Sequence, residues 1–243
     1  MTITSRQNPL IKHIRRLGAD AAYRREQGLY LADGRKLLDD ALRSGVCVKQ
    51  AVFTEGVPIP PMPGAEIITV PNALMGAVST LETPQGVLFV CPIPPPPPPP
   101  RSGRWLLLDR LQDPGNVGSI LRTAEAFALD GVYLTPGCAD PFSIKAVRAA
   151  MGATFRLPVG IVSMETLLSG GLPLYAADMD GNAIVVDKAD YTDCIVVLGS
   201  EGRGISPELR NRADKVISIP MPGKAESLGV AAAAAIICWE MRK

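Results

Sequence analysis

Residues 194–235 read CIVVLGSEGRGISPELRNRADKVISIPMPGKAESLGVAAAAA, and their pattern predicts the fold class of this part of the chain. It contains two short apolar runs, 194–199 and 215–219, each followed by a loop rich in glycine or proline. The small apolar residues after the second loop predict a long helix over 226–240. Short strands that alternate with helices indicate a parallel sheet, which binds its ligands at the carboxyl ends of its strands. We therefore expect a functional site at these two loops.

The same alternation extends back along the chain to residue 103. Further strands are predicted at 105–109, 131–134, 157–162 and 174–178, and further helices at 116–129, 143–150 and 163–168. The second half of the chain is thus predicted to be an α/β domain with a mainly parallel sheet and helices on both faces.

A run of prolines separates this domain from the N-terminal part. Residues 92–100 read PIPPPPPPP, and proline neither donates to a sheet nor continues a helix. The run predicts a polyproline II rod of about 28 Å if fully extended. A spacer is the favoured interpretation, and a ligand for a proline-binding module is the alternative. The predicted division is a domain over 1–91, a linker over 92–102 and a domain over 103–243.

The N-terminal part is predicted to be a small α/β domain with a basic beginning. Residues 1–36 contain eight Lys or Arg and three Asp or Glu, a net charge of +5, whereas the whole chain carries only +1. Such a local excess is typical of surfaces that contact phosphate backbones, although it is also found on solvated helices. The candidate contacts with such a backbone are Arg6, Lys12, Arg15, Arg16, Arg24, Arg25 and Arg35.

Composition excludes several other classes of protein. The five cysteines are far apart, which fits neither a zinc knuckle nor a disulfide framework, and His13 is the only histidine, so a multi-histidine metal site is excluded. The longest apolar run, 229–239, is too short for a bilayer, which needs about 20 residues. No secretory signal is visible, and we expect a cytoplasmic protein that binds no membrane and no metal.

A third loop with polar residues follows the first strand of the second domain. Residues 108–118 read LDRLQDPGNVG and lead into the predicted helix. Asn116 could simply cap that helix, and Arg122 and Glu125, three residues apart, could pair on one helix face. The glycine order in 199–204, G-x-x-G-x-G, fits neither a dinucleotide fingerprint nor a phosphate loop.

Taken together, these segments resemble the SpoU (TrmH-like) branch of the SPOUT methyltransferases. DPGNVGSILRTAEAF resembles the first family motif, LGSEGRGIS the second, and IPMPGKAESLGVAAAA the third. The segment 145–153, KAVRAAMGA, resembles the region between the first two. Residues 8–12, 28–34 and 83–86 resemble the substrate-binding domain that precedes the catalytic domain in many members.

This resemblance implies a catalytic domain with a C-terminal trefoil knot, a homodimeric active site and an N-terminal domain that holds structured RNA. The methyl donor would be S-adenosylmethionine, with no metal. The residues that match cofactor-binding positions are Leu198, Gly199, Gly202, Ile219, Met221 and Leu228. Those that match substrate-binding and catalytic positions are Asn116, Arg122, Glu125 and Ser227.

Two residues depart from the family pattern. Gly229 stands where the third motif usually has asparagine, and Ala150 stands where serine is common. Loss of the asparagine amide removes a possible hydrogen bond to substrate or to a neighbouring loop.

The implied reaction is transfer of a methyl group to a ribose 2′-hydroxyl, in which positioning of the reactants should dominate. A guanidinium stays protonated in proteins, so we expect Arg122 to grip a phosphate and stabilise the developing alkoxide rather than act as a base. Ribosomal RNA is favoured over transfer RNA. A non-catalytic RNA-binding relative and a dinucleotide-dependent oxidoreductase are the competing interpretations.

Overall fold

The computed structural model describes residues 1–79, 81, 83–178 and 183–242. The chain forms two compact units. Unit 1 comprises Met1–Pro94 and Phe142–Phe155, and unit 2 comprises Pro95–Pro141 and Arg156–Lys243. The contacts thus assign 142–155 to unit 1, although the sequence places this segment within the predicted domain 103–243.

Unit 1 is a four-stranded sheet with helices on both faces. Its elements are α1 (Pro9–Ala19), α2 (Ala21–Gln27), β1 (Leu29–Asp33), α3 (Arg35–Arg43), β2 (Gln50–Thr54), β3 (Glu66–Val70), α4 (Asn72–Val78), β4 (Val87–Pro92) and α6 (Ile144–Ala150). The strand order is β1-β4-β2-β3. Strand β4 runs antiparallel to β1 and β2, and β3 runs parallel to β2.

Alternation along the strands of unit 1 divides its core into two clusters. Leu31 and Leu88 lie in one cluster with residues of α1 and α4. Tyr30 and Phe89 lie in the other with residues of α3 and α6. Because successive strand residues point to opposite faces, helices cover both faces of the sheet.

Unit 2 contains a seven-stranded sheet. Its elements are β5 (Arg104–Asp109), α5 (Pro114–Ala126), β6 (Gly131–Leu134), β7 (Val159–Ile161), α7 (Met164–Leu168), β8 (Leu174–Ala177), β9 (Ile184–Val185), β10 (Cys194–Gly199), α8 (Pro207–Arg212), β11 (Lys215–Ser218) and α9 (Val230–Met241). The order is β7-β6-β5-β10-β8-β11-β9, and every pair is parallel. The predicted parallel sheet is confirmed, and β5 and β10 lie side by side within it.

Two helices of unit 2 begin at other residues than predicted. Helix α5 begins at Pro114, because the Asp113 side chain accepts from the Gly115 amide and Pro114 suits the first helical position. The capping role considered for Asn116 is therefore wrong, and its side chain is available for other contacts. Helix α9 begins only at Val230, because 219–229 form an extended loop with Gly229 as the helix N-cap.

The proline run lies against unit 2 rather than standing free along its whole length. A Cβ on Gly160 would lie 2.6 Å from the Cβ of Pro96, so this glycine allows the prolines to approach β7 closely. The Tyr133 hydroxyl donates to the carbonyl of Pro98 at 2.6 Å. These contacts hold residues 96–98 on the edge of the sheet.

Candidate active site

Two cavities open at the carboxyl ends of the strands in unit 2. The apolar cavity, of about 260 Å³, is lined by residues that follow β8, β10 and β11 and by residues of α9, among them Asp178, Leu198, Gly199, Ile205, Ile219, Met221, Ser227, Leu228 and Ile237. The polar cavity, of about 480 Å³, is lined by Arg110, Leu111, Gln112, Asp113, Asn116, Gly137, Ser200, Glu201, Gly202, Arg203 and Val230. Ser200, Glu201 and Val230 border both.

The glycine-rich loop between the cavities is closed on itself. Ser200 and Gly204 exchange two backbone hydrogen bonds, of 3.2 Å and 2.8 Å. A Cβ on Gly199 would lie 2.2 Å from the carbonyl carbon of Gly204 and 2.3 Å from the amide nitrogen of Ile205. Only glycine fits at position 199, since the chain returns over it within contact distance.

This closed loop presents Glu201 to α5. The Asn116 amide donates to Oε1 of Glu201 at 2.6 Å, across 85 residues of sequence. Glu201 borders both cavities, so its carboxylate marks the boundary between them. A charge-assisted bond of this length orients both side chains.

A buried carboxylate connects the loops behind the polar cavity. Asp109, at the end of β5, is 2% exposed. Its Oδ2 accepts from the Ser206 amide at 2.7 Å, and its Oδ1 accepts from the Thr135 hydroxyl at 3.2 Å. Nε of Arg110 lies 3.3 Å from the same Oδ1. A buried charge needs such partners to offset its loss of hydration, and here they come from loops after three different strands.

The structure places five of the six predicted cofactor residues around the apolar cavity. Leu198, Gly199, Ile219, Met221 and Leu228 all line it, together with Ser227. The sixth residue, Gly202, borders the polar cavity, as Asn116 does. The cofactor residues of the second and third motifs lie 17 (Gly202 to Ile219) to 30 (Leu198 to Leu228) positions apart in sequence. Their loops nevertheless form one wall, because β10 and β11 lie on either side of β8.

The predicted pairing of Arg122 with Glu125 is wrong. Glu125 accepts from Nε of Arg156 at 2.7 Å, and the exposed Arg122 side chain makes no hydrogen bond or ion pair with any residue that the structure describes. Neither residue borders the two cavities. The carboxylate near Asn116 is Glu201, which the sequence analysis did not select. Its signal was available, because Glu201 is the one acidic residue within the glycine-rich loop 199–205.

The thiols of unit 2 are held neutral by their surroundings. Burial raises the pKa of the Cys138 thiol, which donates to the carbonyl of Leu108 at 3.1 Å beside the polar cavity. Burial also raises the pKa values of Cys194 and Cys238 to about 12. The site therefore holds carboxylate, amide, hydroxyl and guanidinium groups but no thiolate among these three residues.

The basic residues predicted to bind RNA differ in exposure. Arg6, Lys12, Arg15, Arg16 and Arg25 are exposed. Arg24 is 3% exposed and donates to the carbonyl of Leu17 at 2.7 Å, so it stabilises the end of α1 and is excluded from our proposed RNA-binding surface. Arg35 is half-buried, and its Nε contacts Asp39 at 2.9 Å while Nη1 donates to the carbonyl of Pro58 at 2.7 Å.

No described helix has the length and apolar character needed to span a bilayer. In the described part of the chain, no three His, Cys, Asp or Glu side chains cluster so that they could bind a metal ion.

Residues 104–239 match the SpoU rRNA Methylase family. The chain belongs to this family. Residues 8–88 match the MRM3-like substrate binding domain. The family resemblance inferred from the three motifs is therefore confirmed, and both matches lie within the predicted domains.

Three proteins match this SpoU family chain over nearly their whole length. The chain is 31% identical to the 23S rRNA (guanosine(2553)-2′-O)-methyltransferase RlmP of Bacillus subtilis, over 99% of this chain and 98% of that protein. It is similar to the AdoMet-bound rRNA methyltransferase of Sinorhizobium meliloti, with a TM-score of 0.87, 29% identity and coverage of 100% and 97%. It is also similar to the AdoMet complex of the SpoU methyltransferase AviRb from Streptomyces viridochromogenes, with a TM-score of 0.86, 27% identity and coverage of 97% of both chains.

Proposed function

We propose that this protein transfers a methyl group from S-adenosylmethionine to a ribose 2′-hydroxyl of structured RNA, with ribosomal RNA as the substrate. One observation carries the proposal: the apolar cavity, which five of the six family cofactor positions line, meets the polar cavity at Glu201, whose carboxylate accepts from Asn116. The names of the relatives agree with this assignment.

The apolar cavity fits the methyl donor. Its wall combines the apolar side chains of Leu198, Met221 and Leu228 with the backbone of Gly199, a composition suited to adenine and a thioether carbon chain. When bound, the donor supplies an electrophilic methyl group on a sulfonium. The chain's own residues would bind and orient it and exclude water.

The polar groups at the boundary would position the acceptor ribose. Asn116 and Glu201 orient one another, and Glu201 can accept a hydrogen bond from the ribose hydroxyl. Ser227, exposed at the rim of the apolar cavity, can hydrogen-bond the same nucleotide. Because positioning dominates such a displacement, fixed side chains of this kind are what the reaction requires.

We further propose that two copies of the chain form the active enzyme. Arg122 lies on the exposed face of α5 and borders neither cavity, so we expect the Arg122 at the acceptor to come from a second copy. Helix α9 supplies apolar surface for such an association: Trp239 is 49% exposed and Ile236 is 37% exposed. Arg122 would then grip a phosphate of the RNA and stabilise the developing alkoxide. We also expect the C-terminal trefoil knot of the family.

The first test is methyl transfer in vitro. Purified protein with radiolabelled S-adenosylmethionine should label ribosomal RNA transcribed in vitro, and nuclease digestion should release a 2′-O-methyl nucleotide. Transfer RNA should remain unlabelled, and Arg122→Ala should abolish transfer. Label in transfer RNA alone would overturn the choice of substrate, and label on a base would overturn the chemistry.

Complementation tests the proposed dimer. Arg122→Ala and Ser227→Ala subunits, each inactive alone, should regain about a quarter of normal activity when unfolded together and refolded, because half of the dimers are mixed and each has one intact site. No recovery, with mixed dimers present, would show that Arg122 acts in its own subunit.

A non-catalytic RNA-binding relative is the competing function, and Gly229 is the observation that favours it. Gly229 is the N-cap of α9 and supplies no side-chain cap. Tight binding of ribosomal RNA and of S-adenosylmethionine without transfer, together with activity gained in Gly229→Asn, would favour this alternative.

A further inference from the structure

The polar cavity contains an arginine that the proposed reaction does not use. Arg110 directly follows β5 and lines the polar cavity with Arg203 and Gln112. Within the described part of the chain, Nη1 and Nη2 of Arg110 make no hydrogen bond. Arg203, from the glycine-rich loop, is exposed and its side chain likewise has no partner among the described residues.

The backbone of Arg110 is strained. Its φ angle is 55°, in the left-handed region that side chains other than glycine, asparagine and aspartate rarely adopt. Such a conformation costs on the order of 1 kcal/mol and concentrates at functional sites. A strained backbone at this position indicates that the placement of the Arg110 side chain is functional.

Contacts around Arg110 fix its backbone and Nε and leave Nη1 and Nη2 unpaired among the described residues. The backbone amide of Arg110 donates to the Thr135 hydroxyl at 3.0 Å, and the Arg110 carbonyl accepts from Nε2 of the Gln112 side chain at 3.0 Å. Nε is buried beside Oδ1 of Asp109, at 3.3 Å. Because Asp109 is itself held by the Ser206 amide, the guanidinium is oriented before any ligand arrives.

The cavity also contains two carboxylates, and both are engaged. Asp113 accepts from the Gly115 amide at the start of α5. Glu201 accepts from Asn116. The cationic donors left to bind a ligand are therefore Nη1 and Nη2 of Arg110 and the guanidinium of Arg203, and a guanidinium matches an anion that presents two oxygens side by side.

We infer that Arg110 binds a phosphodiester of the RNA next to the ribose that accepts the methyl group, with Arg203 contributing to the same subsite. The inference rests on the proposed function, because that function puts the acceptor nucleotide at Asn116 and Glu201 on the wall of this cavity. Arg110 contacts the substrate but takes no part in bond formation.

Two variants of Arg110 separate a phosphate contact from a structural role. Arg110→Asn removes the positive charge and suits the left-handed backbone. Arg110→Lys keeps a positive charge but loses the paired N–H donors of the guanidinium. Arg101→Asn is the matched control, because this exposed arginine precedes the amino end of β5, at the opposite edge of the sheet. Each protein is measured for cooperative unfolding, S-adenosylmethionine binding, and binding of in vitro-transcribed large-subunit ribosomal RNA from 50 to 300 mM KCl.

We expect Arg110→Asn to unfold cooperatively and to bind S-adenosylmethionine as the unaltered protein does. Its RNA affinity should fall about tenfold, and its plot of log K against log salt should flatten by about 0.7 to 0.9 per lost phosphate contact. Arg110→Lys should keep the original slope, and Arg101→Asn should match the unaltered protein throughout.

Three results would overturn the inference. An unchanged RNA affinity in Arg110→Asn would show that Arg110 does not contact the RNA. A fall in RNA affinity with no change in the salt slope would show that Arg110 contacts a base of the RNA instead of a phosphate. Loss of S-adenosylmethionine binding in both variants would make Arg110 a structural residue. Failure of the proposed function is a separate result, since it appears as absence of methyl transfer by the unaltered protein.

Discussion

The basic surface of unit 1 and the loops of unit 2 would contact the same RNA, but they are built differently. In unit 1, Lys12 and Arg15 stand exposed on the outer face of α1, whose inner face buries Ile11 and Ile14. In unit 2, several polar side chains of the site are held by others, as Asn116 and Glu201 show. Exposed charges give affinity that tolerates small movements, whereas methyl transfer requires fixed geometry. Substitutions in the two units should therefore fail in different ways.

The largest effect should come from the crowded glycine of unit 2. Gly199→Ala puts a Cβ 2.2 Å from the backbone of Gly204, so the loop must move, at a cost of about 1 to 3 kcal/mol. We expect S-adenosylmethionine binding below detection in calorimetry and a lower Tm. Gly223→Ala is the control, since a Cβ there meets nothing within 4 Å, and normal donor binding by Gly199→Ala would contradict the close approach.

The next effect tests whether the side chains of the site act as a unit. Asn116→Ala and Glu201→Ala should each slow single-turnover methyl transfer about a hundredfold, and the double variant should be little slower than either. Glu125→Gln should cost little, because it breaks only a half-exposed ion pair with Arg156. Additive losses at 116 and 201 would show that the two residues work independently.

A smaller effect is expected on the basic surface of unit 1. Arg15→Gln should weaken RNA binding severalfold and flatten the salt slope by about 0.7 to 0.9, while the rate at saturating RNA stays unchanged. Arg24→Gln should instead lower the Tm and leave the slope alone, because Arg24 is buried on the carbonyl of Leu17. A changed slope in Arg24→Gln would refute this division.

The smallest effect concerns the cap of α9. Gly229→Asn introduces a side chain into open space at an N-cap with φ −58° and ψ 143°, which should stabilise unit 2 by a few tenths of a kcal/mol. Thermal unfolding should show a rise of about 1 °C. A lower Tm would mean that the loop before α9 requires glycine at this position.

Many residues of the site could be predicted from the sequence, but the contacts between their side chains could not. The motifs identified Asn116, Gly199 and Leu228, because local residue order carries family membership. Glu125 was selected by its match to the first motif and Glu201 was not selected, because residue order does not reveal that Asn116 meets a loop 85 residues away. Likewise, the charge count grouped Arg24 with the exposed arginines, although burial separates them.

Periodicity and motifs are local properties of the chain, so they predicted the alternation of strands and helices, the parallel sheet, the two matched regions and the loops of the site. Which side chains meet could be seen only in the folded chain. The order β5-β10-β8-β11 brings the ends of distant strands to one edge, so Asp109 reaches Ser206, Asn116 reaches Glu201, and the tip of Arg110 faces an open cavity. Hydrogen bonds and burial depend on distance in space, and the fold alone sets that distance.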